Sequence, residues 1–395
     1  MANVSQGGRS MSAYLSRFFL AMRAGMSFGT ARDTYKVFGY PRKLTVEQLK
    51  ERVLRQDIVK TCLYKPAEAI WTRPPIVQGP EEFVTAWNTF VRKNKLWSVM
   101  LRADKMLGVE PYVALFLGLP GDSAKAARNA KSVSYIQPYG ASSAAIQRLE
   151  DTADSPRYGK PINYTLNTSA SSGARALDAH WTRCIHLTNE LTDENNSSAP
   201  RILAAYNLFD DIAKVTGGAA ETFWLTANRG MQVDVDKDME LDTDDANALS
   251  DELDEFQHQL RRYIRTRGVK ITNLGSDVAD PRGVFDVLVS LLSGTYGIPQ
   301  RVLMGSEAGQ LASEQDRANW AQVVEARRTS VAEPYMLIPV IERLMELGML
   351  PQTDEYSFLW PDAFQMSPLE SAQTMAQSAR AIVNLSRQAQ YGSPV

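Results

Sequence analysis

Three groups of residues have types and spacings that could do chemistry. Asp234, Asp236 and Asp238 alternate as the opening of an EF-hand calcium loop does, and Asp245 falls where its closing carboxylate belongs. Met239, however, stands where the loop's sharp turn needs glycine. In an extended conformation alternate carboxylates would lie on one face and repel each other, so the run reads as a solvated acidic edge and no metal site is expected. His180 and His186 are six apart, matching no metal-binding spacing, with Cys184 between them and no partner to complete a Cys–His nucleophile pair. Structural packing is the expectation for all three. Gly118-Leu-Pro-Gly121-Asp-Ser-Ala-Lys125 lacks the Gly-Lys-Ser/Thr ending of a phosphate-cradling loop. No Gly-x-Gly-x-x-Gly or Gly-x-Ser-x-Gly turn joins a strand to a helix. The sequence therefore points to a protein without catalytic residues, resident metal or cofactor.

Charge is the stronger signal. The net value of -2 over 395 residues hides a polarised chain. Residues 1–73 hold thirteen Lys/Arg against five Asp/Glu, and residues 190–256 hold four against seventeen. Asp234, Asp236, Asp238, Glu240 and Asp242 begin the acidic block, and Arg261, Arg262, Arg265, Arg267 and Lys270 follow it. Blocks of this kind form solvated faces, and in an assembled object they would give a negative end and a positive rim. The near-neutral total argues against a general basic coat for nucleic acid.

The elements that must carry these residues are mixed. Thr45 and Gln48 form a capping box flanked by a Leu44–Leu49 staple. Val46, Leu49, Val53, Val59, Cys62 and Leu63 supply the apolar face of one helix, ended by Pro74-Pro75. A second helix opens after Gly79-Pro80 and carries Phe83, Trp87, Phe90 and Val91. From 109 to 190 short strands alternate with turns: Tyr112–Leu117, Val133–Ile136 and Ile162–Leu166 read as extended, with turns at 118–121 and 155–161 and a polar loop at 189–198. A long helix follows Pro200, interrupted at Gly217-Gly218. Beyond the acidic stretch come a helix over Asp244–Arg265, a strand at Val269–Thr272, and a helix capped by Asp280-Pro281 and stopped at Gly297-Ile298-Pro299. The small, polar run Gly305, Ser306, Glu307, Ala308, Gly309, Gln310, Leu311, Ala312 and Ser313 reads as a loop. It precedes a helix bent at Pro334 and Pro339, a strand at Tyr356–Trp360 and a last helix capped at Ser367-Pro368-Leu-Glu370.

The 44% hydrophobic content suffices for a sizeable core, and average glycine and proline usage excludes collagen-like or mostly disordered character. The longest charge-free apolar stretch, Val287–Pro299, is too short to cross a bilayer, so no membrane association is expected. Two cysteines cannot build a disulfide framework, which fits a reducing compartment. Arg9, Arg17, Arg23 and Arg32 without an acid superficially look like a transit peptide, but the expectation is a basic arm or surface helix.

Segment order then brings out a family. Gly297-Ile-Pro-Gln-Arg-Val-Leu-Met-Gly305, with Ser306-Glu-Ala-Gly309 and Ser313-Glu-Gln-Asp316 after it, resembles the stretch of tailed-bacteriophage portal proteins in which a Gly-Ile-Pro-x-x-x-Leu-x-Gly segment follows a stem helix and leads into the channel loop. Tyr64-Lys-Pro-Ala-Glu68 looks like that family's Pro-Ala-Glu helix end, Ser155–Tyr164 like its strand-turn-strand element, and Ile185-His186 like the start of its Ile-His strand. The similarity spans roughly 45–350 and is nearest the compact, DUF1073-type portal group. Leu187-Thr188-Asn189 and Gln310-Leu311-Ala312 depart from the family pattern.

The resemblance implies an α+β protomer with long stem helices, a mixed α/β wing and a small acidic α/β clip, forming a ring. The implied layout is an N-terminal arm and wing over 1–198, stem helices over 199–229 and 279–297, a clip over 230–278, a tunnel loop over 298–314, a wing helix and strand over 315–362, and a short crown over 363–395. It further implies a usually dodecameric homo-oligomer at one capsid vertex of the virion, assembled in the bacterial host cytoplasm. The implied partners are the major capsid protein, the terminase large subunit, a head-to-tail adaptor and double-stranded DNA passing non-specifically through the channel. Residues 305–313 would line that channel, and Asp234, Asp236, Asp238, Glu240 and Asp242 would belong to the docking clip. Two other readings stay open on residues alone: a metal-dependent nuclease or phosphodiesterase using the 234–245 carboxylates, and a virion scaffold or adaptor without a DNA channel.

Overall fold

The computed structural model describes residues 33–130, 132–170, 173–191, 196–227, 231–235, 247–248, 250–252, 255, 269–273, 280–305 and 310–363. The arm at 1–32 and the cap at Ser367–Glu370 lie outside the described residues. Helices and strands are mixed, as the sequence implies. The chain divides into two compact units, one of residues up to Tyr206 together with Ser293 onward, the other of Asn207–Leu292.

In the larger unit a short helix α1 (Thr34–Phe38) precedes α2 (Val46–Arg55). The capping box forms: Gln48 N–H donates to Thr45 Oγ1 at 3.3 Å, and Thr45 N–H donates to Gln48 Oε1 at 2.9 Å. The single helix expected here is two, because Gln56 turns extended and the chain restarts as α3 (Asp57–Trp71) with Ile58 N–H donating to the Asp57 carboxylate at 2.7 Å. Helix α3 continues through Pro66, forfeiting one backbone hydrogen bond, so Tyr64–Glu68 lies inside the helix and not at its end. Helix α4 (Glu81–Asn94) buries Phe83 and Trp87. Helix α5 (Leu96–Met106), which no sequence signal announced, follows a reversal on Lys95, a non-glycine residue at φ +50°.

Strand β1 (Ile76–Gln78) lies between α3 and α4 in sequence. Strands β2 (Val113–Leu117) and β3 (Ile136–Gly140) come next, then β4 (Ala144–Leu149), β5 (Pro161–Ala170), β6 (Gly173–His180) and β7 (Cys184–Leu187). They form two antiparallel sheets, ordered β3-β2-β7 and β4-β5-β6. Strand β2 is buried throughout because both faces are covered. Val113, Leu115 and Leu117 join the core with Trp87, Met100 and Leu344, while Ala114 and Phe116 meet Tyr164 and Leu166 of the second sheet. The strand expected at 133–136 begins only at Ile136. Gly118 holds the preceding stretch, donating to Tyr135 O and accepting from Ser134 N–H, and a Cβ at Gly118 would come within 2.5 Å of the Tyr135 ring.

After a 3₁₀ turn at Arg201–Ala205, α6 (Tyr206–Ala227) runs without interruption through Gly217-Gly218, where the expected break is absent. A pair of glycines weakens a helix without ending it when no turn residue follows. Strands β8 (Met231–Val235) and β9 (Val269–Asn273) pair antiparallel, and α7 (Arg282–Tyr296) leads back toward the larger unit's segments. There α8 (Gln300–Met304), α9 (Gln310–Arg327), a π-wound stretch Arg328–Leu337 and α10 (Ile338–Glu346) follow, then β10 (Ser357–Leu359) on β1. Where a bend was expected at Pro334, the winding loosens around a residue with no N–H to give.

Candidate functional site

The hairpin of the smaller unit carries the first of the acidic residues. Its register sets Met231 against Asn273, Val233 against Ile271 and Val235 against Val269, so Asp234 stands opposite Lys270. Asp236, Asp238, Glu240 and Asp242 lie outside the described residues. Residues 247–248, 250–252 and 255 are helical, within the helix expected over Asp244–Arg265.

The small-residue run is anchored on both sides by backbone geometry. Asp280 accepts from Arg282 N–H at 2.9 Å, opening α7 as its sequence predicts. At the far end Ser293 Oγ donates to Ile298 O at 2.7 Å, and Gly297 turns at φ +63° where a Cβ would press on Val323 at 3.2 Å. Helix α8 then buries Leu303, receives the Lys65 ammonium on the Val302 carbonyl, and stops at Gly305, φ +71°, whose N–H donates to Arg301 O at 2.8 Å. Ser306, Glu307, Ala308 and Gly309 lie outside the described residues, and Gln310, Leu311, Ala312 and Ser313 already belong to α9. The segment expected as loop over 298–314 thus contains a one-turn helix and a helix start, because Pro299 suits the residue before a helix and no helix breaker follows Gly309.

A buried charge cluster, missed by the sequence reading, braces the point where the chain leaves the larger unit. Asp104 on α5 is fully buried. Trp71 Nε1 donates to its carboxylate at 3.0 Å, Arg327 pairs with it, and Arg201 Nη2 stands 3.4 Å away while donating to the Asp104 and Leu63 carbonyls. Burial pushes Asp104 up, but Arg327 and Arg201 outweigh it and hold the acid below its ordinary range. Burial also brings Arg201 down to about 10. Tyr296, the last residue of α7, donates its hydroxyl to Arg201 O at 3.1 Å, tying the chain's exit to its return. The available signal was an acid beside the apolar stripe Met100, Ala103 and Leu107.

Among the described residues singled out for chemistry, Gly118–Lys125, Cys184 and His186 are occupied by structure. Around Gly118–Lys125 the carbonyls, not the amides, converge: Arg183 donates to Leu119 O, Pro120 O and Lys125 O at 3.0, 2.9 and 3.0 Å. A loop that presents carbonyls to a guanidinium cannot cradle phosphate. Burial pushes both cysteine thiols up to about 12, which suppresses the thiolate each would need as nucleophile. Among the described residues no cluster of three His, Cys, Asp or Glu side chains could hold a metal.

His186 Nε2 donates to Asn196 O at 2.6 Å, so its Nδ1 accepts from the Tyr164 hydroxyl at 2.9 Å. Burial brings the ring down to about 4 from 6.5, so it is neutral at pH 7. In the unfolded chain the same ring titrates near 6.5. Between these values the unfolded state binds more protons, and stability falls as pH falls through this window, by roughly 3 kcal/mol at most. The melting temperature of His186→Gln is expected to depend less steeply on pH between 6.5 and 4 than that of the unsubstituted protein. Parallel curves would show that His186 is not the group responsible.

Three comparisons place this geometry among known proteins. A family model described as phage portal protein matches residues 52–384. No curated protein matches the sequence. Among solved structures, a chain from the "neck of empty GTA particle computed with C6 symmetry" superposes with a TM-score of 0.58 at 14% identity, covering 94% of this chain and 98% of that one. A chain from the "neck of native GTA particle computed with C12 symmetry" gives 0.57 at 13% identity, covering 90% and 94%. One from the "virion of native gene transfer agent (GTA) particle" gives 0.57 at 12%, covering 95% and 98%. At these identities the likeness is one of fold.

Proposed function

The chain belongs to the phage portal protein family, and we propose that it is a structural, non-enzymatic subunit of a closed ring, of twelve copies, at one vertex of the capsid. The observation that carries this reading is the extent of the family match, which runs from α2 into the segment beyond β10 and includes every candidate segment. The similar chains from GTA particle necks computed with C6 and C12 symmetry support a ring, and these with the chain from a GTA virion support a virion location. Contacts that join one face of a protomer to a different face of the next close into rings when the rotation allows.

In this reading residues 1–198 and 315–362 form the wing, 199–229 and 279–297 the stem, 230–278 the clip, 298–314 the tunnel segment and 363–395 the crown. Double-stranded DNA passes through the ring without being held, because the attraction that binds duplexes is largely ionic and an acidic surface withholds it. Gly305–Ser313 is the segment assigned to the channel. Asp234, Asp236, Asp238, Glu240 and Asp242 belong to the clip, which docks the terminase large subunit and then the head-to-tail adaptor. The wing meets the major capsid protein.

Negative-stain images and native mass spectra of the purified protein test the proposal. The expected particle is a ring with an axial hole and a mass above roughly eight protomers. A monomer that persists at micromolar concentration across a range of salt would overturn it.

A further inference from the structure

A cavity of about 510 Å³ in the larger unit is left unused by the portal reading. It lies between the turn at 155–161, Trp181, strands β5 and β7, and helix α10. Most of its polar lining is internally satisfied. The Tyr164 hydroxyl donates to His186, which donates in turn to Asn196 O, and Arg343 donates to Trp181 O at 2.9 Å and stands 3.2 Å from Glu346.

Arg343 Nε also lacks a hydrogen-bond acceptor but has Glu346 beside it, and Arg157 differs in having no such counter-charge among the described residues. One nitrogen, Nη2, donates to Pro161 O at 2.8 Å, and the guanidinium lies over the Trp181 ring, 3.5 Å from its centroid. No carboxylate pairs with it among the described residues, and its Nε, shielded from solvent, has no acceptor. Lys160, three residues on and lining the same cavity, is exposed, and no described carboxylate pairs with it either. A half-buried guanidinium remains charged at any physiological pH, so an unmatched donor there carries a standing desolvation cost that an anion would relieve. Stacking on Trp181 fixes the plane of the guanidinium beforehand, which lowers the entropy lost when an oxyanion docks.

We propose that this cavity is an oxyanion site, taking one carboxylate or phosphate group against the Arg157 guanidinium with Lys160 as the second cation. Glu342 and Glu346 line the α10 side of the cavity and set its selectivity. They repel a second negative group, so the ligand carries a single oxyanion on a small body and is not the DNA backbone. A phosphate ion and a carboxylate side chain offer Arg157 the same pair of oxygens.

Calorimetric titration of the assembled protein at fixed ionic strength, with inorganic phosphate in one arm and propionate, the glutamate side chain's monocarboxylate, in the other, separates these two sources. At least one is expected to bind with a Kd below about 10 mM, and the tighter one names the source. Arg157→Gln is expected to weaken that binding about tenfold or more, and Lys160→Gln a few-fold. Should Arg157→Gln fail to fold, Lys160→Glu, at an exposed position, carries the test with an expected loss of about tenfold. Absence of binding in both arms, or binding that survives these substitutions unchanged, would overturn the assignment.

Discussion

Asp104→Ala is expected to cost about 3–5 kcal/mol of stability, the usual loss when one partner of a buried ion pair is removed. The cost comes from the groups left behind. Arg201 and Arg327 both direct guanidiniums at the Asp104 carboxylate, and Trp71 donates its indole N–H to it. Without that carboxylate two half-buried to buried cations face each other with no counter-charge between them. A domain's whole stability is typically about 5–15 kcal/mol, so much of it goes with this one side chain. Trp71→Phe removes only the neutral donor and is expected to cost about 1 kcal/mol. Urea unfolding curves measure both. An Asp104→Ala midpoint as mild as that of Trp71→Phe would show that the two arginines find other partners. The same carboxylate sets an acid limit: its folded-state pKa is depressed, so its contribution is present above the ordinary aspartate range and is lost as pH falls through the lowered value.

How much of this could be read beforehand differs from element to element, for physical reasons. Signals that are local in sequence were legible: the Thr45–Gln48 box, the Pro80 start of α4, the Asp280 cap and the Gly297-Ile298-Pro299 stop are each made by neighbours within one turn. The reversal at Lys95 had no such mark, because a left-handed residue is usually glycine or asparagine and here tertiary packing of α4 and α5 imposes it on a lysine. Gly217-Gly218 misled in the opposite direction. Two glycines lower helix propensity by about 1 kcal/mol each, a sum that the rest of a 22-residue helix absorbs. Strands β4 and β6 are half-polar, and only their pairing with β5 defines them.

For the candidate site the division is similar. Collinear motifs carried the family, since each is a short backbone device that survives as a pattern. The Asp104 cluster joins residues 71, 104, 201 and 327, and no spacing rule connects positions so far apart in the chain. Gln310–Ser313 were read as loop on composition alone, whereas a helix start needs only the absence of a breaker after Gly309.

Helices α6 and α7, assigned to the stem in the proposed ring, carry the second large effect. Phe223 and Trp224 are 72% and 66% exposed near the end of α6, and Val284 and Val287 are more than half exposed on α7, one turn apart. Leu288, Val289 and Leu292 of α7 are meanwhile buried. A helix apolar on more than one face is ordinarily covered on all of them, and the proposed ring supplies the cover through neighbouring copies. Burying a large apolar side chain stabilises by roughly 1.5–3 kcal/mol, and closure repeats that contribution at every interface. Replacing Phe223 and Trp224 together by aspartate removes it and adds charges that the contact would have to desolvate. The double variant is expected to fold with an unchanged circular dichroism spectrum and to sediment as protomers at concentrations where the unsubstituted protein is expected to form the proposed rings. Substituting Glu221→Gln on the same helix is expected to leave the rings intact. Rings formed equally well by the double aspartate variant would move the subunit contact away from this end of α6, and α7 with its Val284–Val287 edge would be the next face to charge.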